Sequence, residues 1–352
     1  MRTLIIYAPN VGAGGGLILL LELLKADWTG LRQVAILDQR AQALIGDRAV
    51  DFDAHWSQSS LTGRLQAERL VSRLAMPGDI VLCFHNLPPV FPIKGNVFVY
   101  VQNAYLTGLI PSSNLRGWVK WRLLAERLIA RRFRHRVERY MVQTESMAMA
   151  LATWFGPGAP PIDILPFAAD MVAGDDTIVA LPEQRWDFIF VSDGVPHKNH
   201  NRLFDAWELL AQKGLFPSLA VTLHPVRDAG LRHRLQAVIK RSGAQIDDLG
   251  LLPHAEILFA YRQAGALIFP SCAESFGLPL LEAKAAGLPI VAPELDYVRD
   301  LLDPEVTFDP TSVRSIARAV MRFLGAASGR SGVLNVQDVA NAVITHANKC
   351  ES

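Results

Sequence analysis

Short apolar runs alternate with segments of helical length along most of this chain, and this alternation restricts its fold more than any other feature. In the first half, strands are predicted at Thr3–Ala8 and at residues 34–37, 79–84, 96–101 and 140–143. In the second half, strands are predicted at residues 187–191, 219–223 and 266–269 and from Ile290 onward, with helices over residues 200–213, 231–241, 254–263 and 278–286. Nearly continuous apolar runs suit parallel strands that are covered by helices on both faces. We therefore expect an α/β protein with parallel sheets, whose ligands lie beyond the carboxyl ends of the strands.

A segment rich in proline and glycine, residues 156–170, separates the two halves of this alternation. A chain of 352 residues is long enough for two domains that each bury a core. We predict an N-terminal domain over residues 1–170 and a C-terminal domain over residues 171–330. The closing segment, residues 331–352, is predicted to form a helix that packs back toward the first domain.

Composition limits the compartment and the class of partner. The formal net charge is +1, so the charge of the whole chain indicates no particular partner. The cysteines, Cys83, Cys272 and Cys350, lack the spacing of a metal site or a disulfide framework, which favours a reducing compartment. The most apolar stretch, residues 17–24, is interrupted by Glu22, whereas a membrane-spanning helix needs roughly 20 apolar residues. We expect a cytoplasmic protein without a signal peptide, and a membrane surface stays open as a site of attachment.

One segment, residues 266–293, carries the most specific chemistry. A predicted buried strand is followed by a short loop and by a helix that begins near Leu278, with Pro279 in its first turn. The N–H groups of Phe276, Gly277 and Leu278 then lie at a helix N-terminus, where free donors and the helix dipole bind anions such as a diphosphate. Gly277 allows a phosphate to approach the backbone closely.

Two carboxylates flank this turn. Glu282, in the same helix, can accept hydrogen bonds from vicinal hydroxyls, as acidic residues do for ribose in dinucleotide sites. Glu274, on the loop, is placed to meet hydroxyls at the other end of such a ligand. The spacing alone would equally suit two surface glutamates of an ordinary strand–loop–helix unit. The full string, PSCAESFGLPLLEAKAAGLPIVA, resembles the signature of glycosyltransferase family 4, the retaining GT-B enzymes.

The resemblance implies two Rossmann-like parallel-sheet domains that face each other across a cleft, and it extends through most of the second domain. Lys198, next to His197, matches the lysine that neutralises the donor diphosphate, where a cation stabilises the charge that develops on the leaving group. The family often carries an arginine about six residues earlier, where this chain has Ser192. The departure weakens the expected phosphate clamp without removing it.

The first domain matches the family less well. Its glycine loop, residues 12–16, resembles the loop that lines the cleft near the phosphates, although a purely structural turn is an equal alternative. Where many members have a His-Asp pair, this chain has Gln102-Asn103, whose amides can hydrogen-bond a sugar but cannot act as a general base. His85, at the end of the preceding strand, is a further candidate for the cleft, with a structural histidine as the alternative. The predicted catalytic residues are Glu274, Lys198 and Asn103, the predicted donor-binding residues are Glu282, Phe276, Gly277, Leu278, Ser275, Gly14, Gly15 and Gly16, and the candidate cleft residues are His85, Gln102 and His197.

Gln102 and Asn103 form the predicted acceptor wall, the side of the cleft that belongs to the first domain. A basic stretch, residues 116–139, follows this wall in the sequence. Its large apolar residues recur at spacings compatible with one face of a helix, namely Trp118, Trp121, Leu124, Leu128 and Ile129. This composition is typical of a helix that lies on an anionic membrane surface. The alternative is a helix whose apolar face packs on the core and whose basic side is solvated. Nucleic acid is disfavoured as a partner because no recognition motif accompanies the charge.

The resemblance implies transfer of a hexose, mannose or a related sugar, from a GDP- or UDP-linked donor to a hydroxyl of a glycan or lipid-linked acceptor. Retention at the anomeric carbon and a role in surface polysaccharide or lipopolysaccharide synthesis are implied as well. The one Asp-x-Asp sequence, residues 51–53, follows no predicted buried strand, so we expect no metal and no cofactor. A sugar-nucleotide epimerase of the same fold and a non-catalytic sugar-nucleotide-binding protein are the alternatives.

Overall fold

The computed structural model describes residues 1–46, 52–112, 115, 117–167 and 183–325. Two units of alternating strands and helices follow each other along the chain. The elements of the first unit are β1 (Thr3–Ala8), α1 (Gly14–Lys25), β2 (Arg32–Asp38), α2 (Gln42–Ile45), β3 (Asp53–Ser57), α3 (Leu61–Leu74), β4 (Ile80–Cys83), β5 (Asn96–Tyr100), α4 (Ala104–Thr107), α5 (Gly117–Phe133), β6 (Arg139–Val142), α6 (Glu145–Phe155) and β7 (Ile162–Ile164).

The second unit begins after the proline- and glycine-rich segment. Its elements are β8 (Trp186–Phe190), α7 (His200–Gln212), β9 (Leu219–Val221), α8 (Ala229–Ser242), β10 (Ile246–Asp248), α9 (His254–Arg262), β11 (Ala264–Ile268), α10 (Leu278–Ala285), β12 (Ile290–Pro293), α11 (Asp296–Arg299), β13 (Val306–Phe308) and α12 (Val313–Phe323). The strand that carries the candidate donor loop, β11, lies near the middle of the second sheet.

Each unit is built on one parallel sheet. The first sheet has 7 strands in the order β3-β2-β1-β4-β5-β6-β7, and the second has 6 strands in the order β10-β9-β8-β11-β12-β13. Every strand pair in both sheets is parallel. The carboxyl ends of the strands within each sheet therefore lie along one edge, where ligands of such sheets bind. The prediction of two parallel-sheet α/β domains is confirmed.

Each domain buries its own core on both faces of its sheet. In the second domain one apolar cluster includes nearly all of β8, β9, β11 and β12 together with the inner faces of α7 and α12. In the first domain two clusters lie on opposite faces of the sheet. Continuous apolar strands are the expected consequence, because a strand covered on both sides has no face that points to water.

Some elements differ from the sequence-based expectation. Four strands were not predicted, namely β3, β7, β10 and β13. All four are short and lie at an edge of their sheet. The helix α1 begins at Gly14, so three of the glycines assigned to a loop form its first turn. The exact boundary at residues 170 and 171 and the helix predicted within residues 331–352 lie outside the described residues, as do Asp51, Arg116 and Cys350. In the described part of the chain, none of the helices is both long enough and apolar enough to cross a membrane.

Candidate active site

The candidate site is built around the N-terminus of α10, which begins at Leu278 as the sequence predicted. Gly277 is the residue before the helix and has a left-handed backbone, with φ of +83°, and Pro279 occupies the first turn. Among the described residues, no protein acceptor is found for the backbone N–H groups of Phe276, Gly277 and Leu278. Free N–H groups at the positive end of a helix dipole make this turn a candidate anion site.

Gly277 is required by its backbone conformation and by its surroundings. A β-carbon built on Gly277 would lie 3.1 Å from Cδ1 of Leu280, a fully buried side chain. Gly287, just after the same helix, has φ of +70° but open space around it. The two glycines therefore separate the cost of a left-handed backbone from the cost of crowding at the turn.

We expect Gly277→Ala to destabilise the fold by about 1–2 kcal/mol from backbone conformation alone, with a further loss from the contact with Leu280. The matched control, Gly287→Ala, should show only the backbone part. Thermal unfolding of the two variants beside the parent protein measures this difference. Equal midpoints for Gly277→Ala and Gly287→Ala would contradict the crowding at the turn.

Lys198 lies at the end of a short 3-10 turn, Pro196–Lys198, that enters α7. Its Nζ donates to Oε1 of Glu274 at 2.6 Å, and both side chains are largely buried. The next residue, Asn199, has φ of 66°, which asparagine tolerates better than most residues. Its side-chain amide donates to the carbonyl oxygens of Pro270 and Pro310 and so ties the turn to the loop that carries Glu274.

The Lys198–Glu274 pair is thus held by the backbone on both sides. The amide of Cys272 also donates to the carbonyl of His197 at 2.8 Å, which joins the same two loops a second time. The two residues predicted to be catalytic in this domain are 76 positions apart in sequence and in direct contact in the fold. The pair places one cation and one carboxylate beside each other at the carboxyl ends of β8 and β11.

Glu282 is buried within α10, and both of its carboxylate oxygens have partners. Oε1 is 3.0 Å from Nε2 of His254, and Oε2 accepts from the hydroxyl of Tyr261 at 3.1 Å. The hydrogen bond to Glu282 raises the pKa of His254 above its usual value. Burial, followed by the nearby charge of Glu282, raises the pKa of Tyr261, so this hydroxyl stays protonated and donates. The predicted ribose-binding carboxylate is therefore held rigidly by two side chains of α9.

The first domain contributes a second helix N-terminus, that of α1. A β-carbon on Gly15 would lie 3.0 Å from Cδ1 of Leu278, the first residue of α10. Leu278 itself packs against the core of the first domain. The side-chain oxygen of Gln102 also lies close to this turn, because a β-carbon on Gly16 would lie 3.2 Å from Oε1 of Gln102. Gly14, Gly15 and Gly16, Gln102 and the start of α10 are thus brought together across the two domains.

His85, a candidate residue of the cleft, lies in the core of the first domain. The side chain is 2% exposed, its ring lies edge-on to Tyr7, and Nδ1 is 3.1 Å from the carbonyl of Tyr7. Burial lowers the pKa of His85 to about 3. Its burial and its contacts with Tyr7 favour the alternative of a structural histidine over a place in the cleft.

Asn103 and Gln102 follow β5 as predicted, and both are half-buried. The side-chain oxygen of Asn103 accepts from the amide of Tyr105 and so forms the N-terminal cap of α4. The backbone N–H of Gln102 donates to the side-chain oxygen of Asn86, a residue with a positive φ of 75°. The cap fixes the orientation of the Asn103 side chain, and the bond to Asn86 fixes the backbone of Gln102. Ser275, in the loop before α10, is also half-buried.

Tyr105 is a residue that the sequence analysis missed. Its hydroxyl lies 3.0 Å from Nδ1 of His197, which joins α4 of the first domain to the turn of Lys198 in the second. Burial lowers the pKa of His197, and burial raises the pKa of Tyr105, so a neutral imidazole meets a protonated phenol. The only signal in the sequence was the position of Tyr105, two residues after Gln102-Asn103. A contact between residues 92 positions apart has no signature in a single sequence.

A cavity of about 390 Å³ lies between the two domains beside this site. Its lining includes Gln143, Thr144, Phe167, Phe276, Leu281 and Asp300. The carboxylate of Asp300 accepts from the amide of Ser146 at 3.0 Å, so the second domain caps the N-terminus of α6. Phe276 is shared by the cavity and the candidate site. Its backbone is part of the anion turn, residues 276–278, and the residue also lines the cavity. Lys198, Glu274 and Glu282 do not line this cavity.

The sequence of the second domain matches a known protein family. Residues 175–328 match the family described as Glycosyl transferases group 1. The match covers the second domain, fewer than half of the 352 residues, and includes Lys198, Glu274 and Glu282. The predictions of a retaining GT-B glycosyltransferase family and of an enzyme are thereby confirmed.

Individual relatives agree with this match. It is 27% identical over 143 residues to the O-antigen chain mannosyltransferase B of Escherichia coli, a match that covers 39% of this chain and 36% of that protein. Its fold is similar to that of Anabaena HepE, crystallised with UDP and glucose, with a TM-score of 0.67, 15% identity and coverage of 92% of this chain and 90% of that one. The lipopolysaccharide outer core galactosyltransferase WaaB superposes with a TM-score of 0.61 at 14% identity over the same shares. At these identities, the two structures establish the fold of the chain alone.

Proposed function

We propose that this chain is a retaining glycosyltransferase that moves a hexose from a nucleoside-diphosphate sugar to a hydroxyl group of a glycan or a lipid-linked glycan. One observation carries the proposal. The N-terminus of α10, the Lys198–Glu274 pair and the first turn of α1 converge at the facing edges of two parallel sheets. Two positive helix ends and one lysine suit a diphosphate, and the carboxylates beside them suit hydroxyl groups.

The proposed roles divide along the length of the donor. The N–H groups of Phe276, Gly277 and Leu278 and the ammonium of Lys198 would hold the diphosphate. Glu282 would accept from the ribose hydroxyls, and Glu274 would accept from the hydroxyls of the transferred sugar. Ser275 and the first turn of α1, Gly14 to Gly16, would close the site around the phosphates.

Charge stabilisation is the largest catalytic contribution that this site offers. As the bond to the leaving diphosphate breaks, negative charge grows on the phosphate oxygen, and fixed N–H donors with a lysine stabilise that charge without reorganising. Within the described residues, no cluster of His, Cys, Asp and Glu has the arrangement of a metal site. Asn103 and Gln102 can orient the sugar or the acceptor hydroxyl, and the leaving phosphate is the proposed acceptor of its proton.

A role in surface polysaccharide synthesis is supported by the relatives. The matched segment of the E. coli relative belongs to a protein named for O-antigen mannosyl transfer, and WaaB is named for a lipopolysaccharide galactosyl transfer. The first of these favours mannose or a related hexose. HepE has also been solved with UDP-glucose. A GDP-linked and a UDP-linked donor are therefore the two candidates for the nucleotide.

A thermal-shift panel of nucleoside diphosphates and their sugars tests the proposal. A ligand that binds only the folded chain raises its stability in proportion to the logarithm of its concentration over its dissociation constant, about 2.7 kcal/mol at 100 times that constant. We expect the midpoint to rise with GDP or UDP and their hexose conjugates, and not with the nucleoside monophosphates at equal concentration. No shift with any diphosphate would overturn the donor site.

Product analysis then separates the glycosyltransferase from the two alternatives. A transferase forms a new glycoside only when an acceptor is present, and it hydrolyses the donor slowly without one. An epimerase would convert the donor alone into its epimer. A non-catalytic binding protein would show a thermal shift and neither reaction.

A further inference from the structure

The long basic helix of the first domain, α5, exposes most of its large apolar side chains to solvent, whereas a helix that packs on a core buries them. Only Leu123 and Ala130 of this helix are buried. Five large apolar side chains are exposed instead, and one of them, Val119 (46% exposed), lies apart from the others around the helix. The other four form one stripe: Trp118 is 72% exposed, Trp121 69%, Leu124 42% and Leu128 69%. The sequence-based expectation of one apolar face is met by these four, but the face points away from the protein. Ile129, the fifth member, is half-buried.

Positive charge surrounds this stripe. Lys120, Arg122 and Arg132 are exposed on the same helix. Its one carboxylate, Glu126, is half-buried and lies 3.5 Å from Arg122. Exposed tryptophans and leucines with flanking Lys and Arg are the pattern of a helix lying in the plane of a membrane interface. A second copy of this chain is a poor occupant of the face, because the two basic surfaces would repel each other.

The remaining arginines anchor the helix to the domain. Arg127 donates to the carbonyl oxygens of Tyr105 and Leu106 in α4, and Arg131 donates to the carbonyl of Trp154 in α6. The helix is therefore fixed to α4, the element that Asn103 caps and that carries Tyr105 at the cleft. Only α5 would then separate a surface bound to its outer side from α4 and the acceptor wall.

We propose that the outer face of α5, formed by Trp118, Trp121, Leu124 and Leu128 with Lys120, Arg122 and Arg132, docks on an anionic lipid bilayer. The aromatic and aliphatic side chains enter the interface between headgroups and acyl chains, and the cations pair with the anionic headgroups. This attachment holds the acceptor wall against the surface in which a lipid-linked acceptor would be embedded. Docking itself requires no donor and no glycosyl transfer.

Vesicle flotation of the full chain tests the proposal. We compare vesicles of phosphatidylcholine alone with vesicles that also contain phosphatidylglycerol. The parent protein should float with the anionic vesicles and stay at the bottom with the neutral ones. Trp118→Ser/Trp121→Ser and, separately, Lys120→Gln/Arg132→Gln should each lower the bound fraction by about ten-fold or more.

A matched control removes two exposed leucines elsewhere on the same domain, Leu44→Ser/Leu61→Ser, and should float like the parent. All variants should keep the parent's thermal midpoint, since exposed side chains contribute little to stability. They should also keep the thermal shift produced by nucleoside diphosphates, so a failure of docking is distinguishable from a failure of the donor site. Equal flotation of the parent and the tryptophan variant, or no flotation of the parent with anionic vesicles, would overturn the proposal.

Discussion

Replacing Lys198 by alanine is expected to lower kcat by about 100- to 1,000-fold, the range seen when one preorganised group that stabilises transition-state charge is removed. Lys198 is the cation that lies beside the anion turn, and the hydrogen bonds of Asn199 fix its position. No water can replace it at equal strength, because the side chain lies in a largely buried pair. Steady-state kinetics with the donor identified by thermal shift would measure the loss.

The structure adds a complication that a control resolves. Lys198→Ala leaves the buried carboxylate of Glu274 without its partner, which costs about 1–3 kcal/mol of stability in addition to the catalytic effect. In Lys198→Ala/Glu274→Gln the unpaired charge is also removed, so most of the stability should return while turnover stays low. A single variant with turnover close to that of the parent would refute the catalytic role of Lys198. Recovery of turnover in the double variant would show that the loss was one of folding.

Glu282→Ala should act on donor binding more than on turnover. A charged hydrogen bond to ribose contributes about 1.5–3 kcal/mol, so we expect the KM for the donor to rise about 10- to 100-fold with a smaller change in kcat. Stability should fall as well, because the buried hydroxyl of Tyr261 loses its acceptor. Michaelis constants and thermal midpoints measured on the same preparations give both quantities.

Tyr261→Phe is the matched control for this prediction. It breaks the same internal hydrogen bond and leaves the carboxylate of Glu282, still paired with His254, in place. We expect it to lose stability with a KM near that of the parent. If Tyr261→Phe raised KM as much as Glu282→Ala, the effect would come from the packing of α9 on α10, and Glu282 would not be the ribose ligand.

The second domain was largely predictable from the sequence because its signals are local. Gly277 and Pro279 mark the start of α10, and the strand and turn around Lys198 lie within a few residues of each other. The contact between Lys198 and Glu274 also follows from the fold, since both residues lie at the carboxyl ends of neighbouring strands, β8 and β11. Local chemistry and sheet topology together were sufficient there.

The first domain was harder for physical reasons that differ from residue to residue. Glycine is a poor helix former, so propensity favoured a loop at Gly14, whereas the packing of Leu17, Leu20 and Leu24 starts α1 there. His85 follows a strand like any cleft residue, and only its contact with Tyr7 shows that it is buried. The outward face of α5 has the same spacing as an inward one, and periodicity does not distinguish the two.

The N-terminal ends of α1 and α10 lie close together, and their proximity affects how the two domains associate. Each helix N-terminus carries the equivalent of about half a positive charge, and Gly15 lies against Leu278. Two like poles repel each other, and the packing of Leu278 on the core of the first domain opposes this repulsion. An anion between the two ends would replace the repulsion by attraction to both. We therefore expect a bound diphosphate to strengthen the association of the two domains.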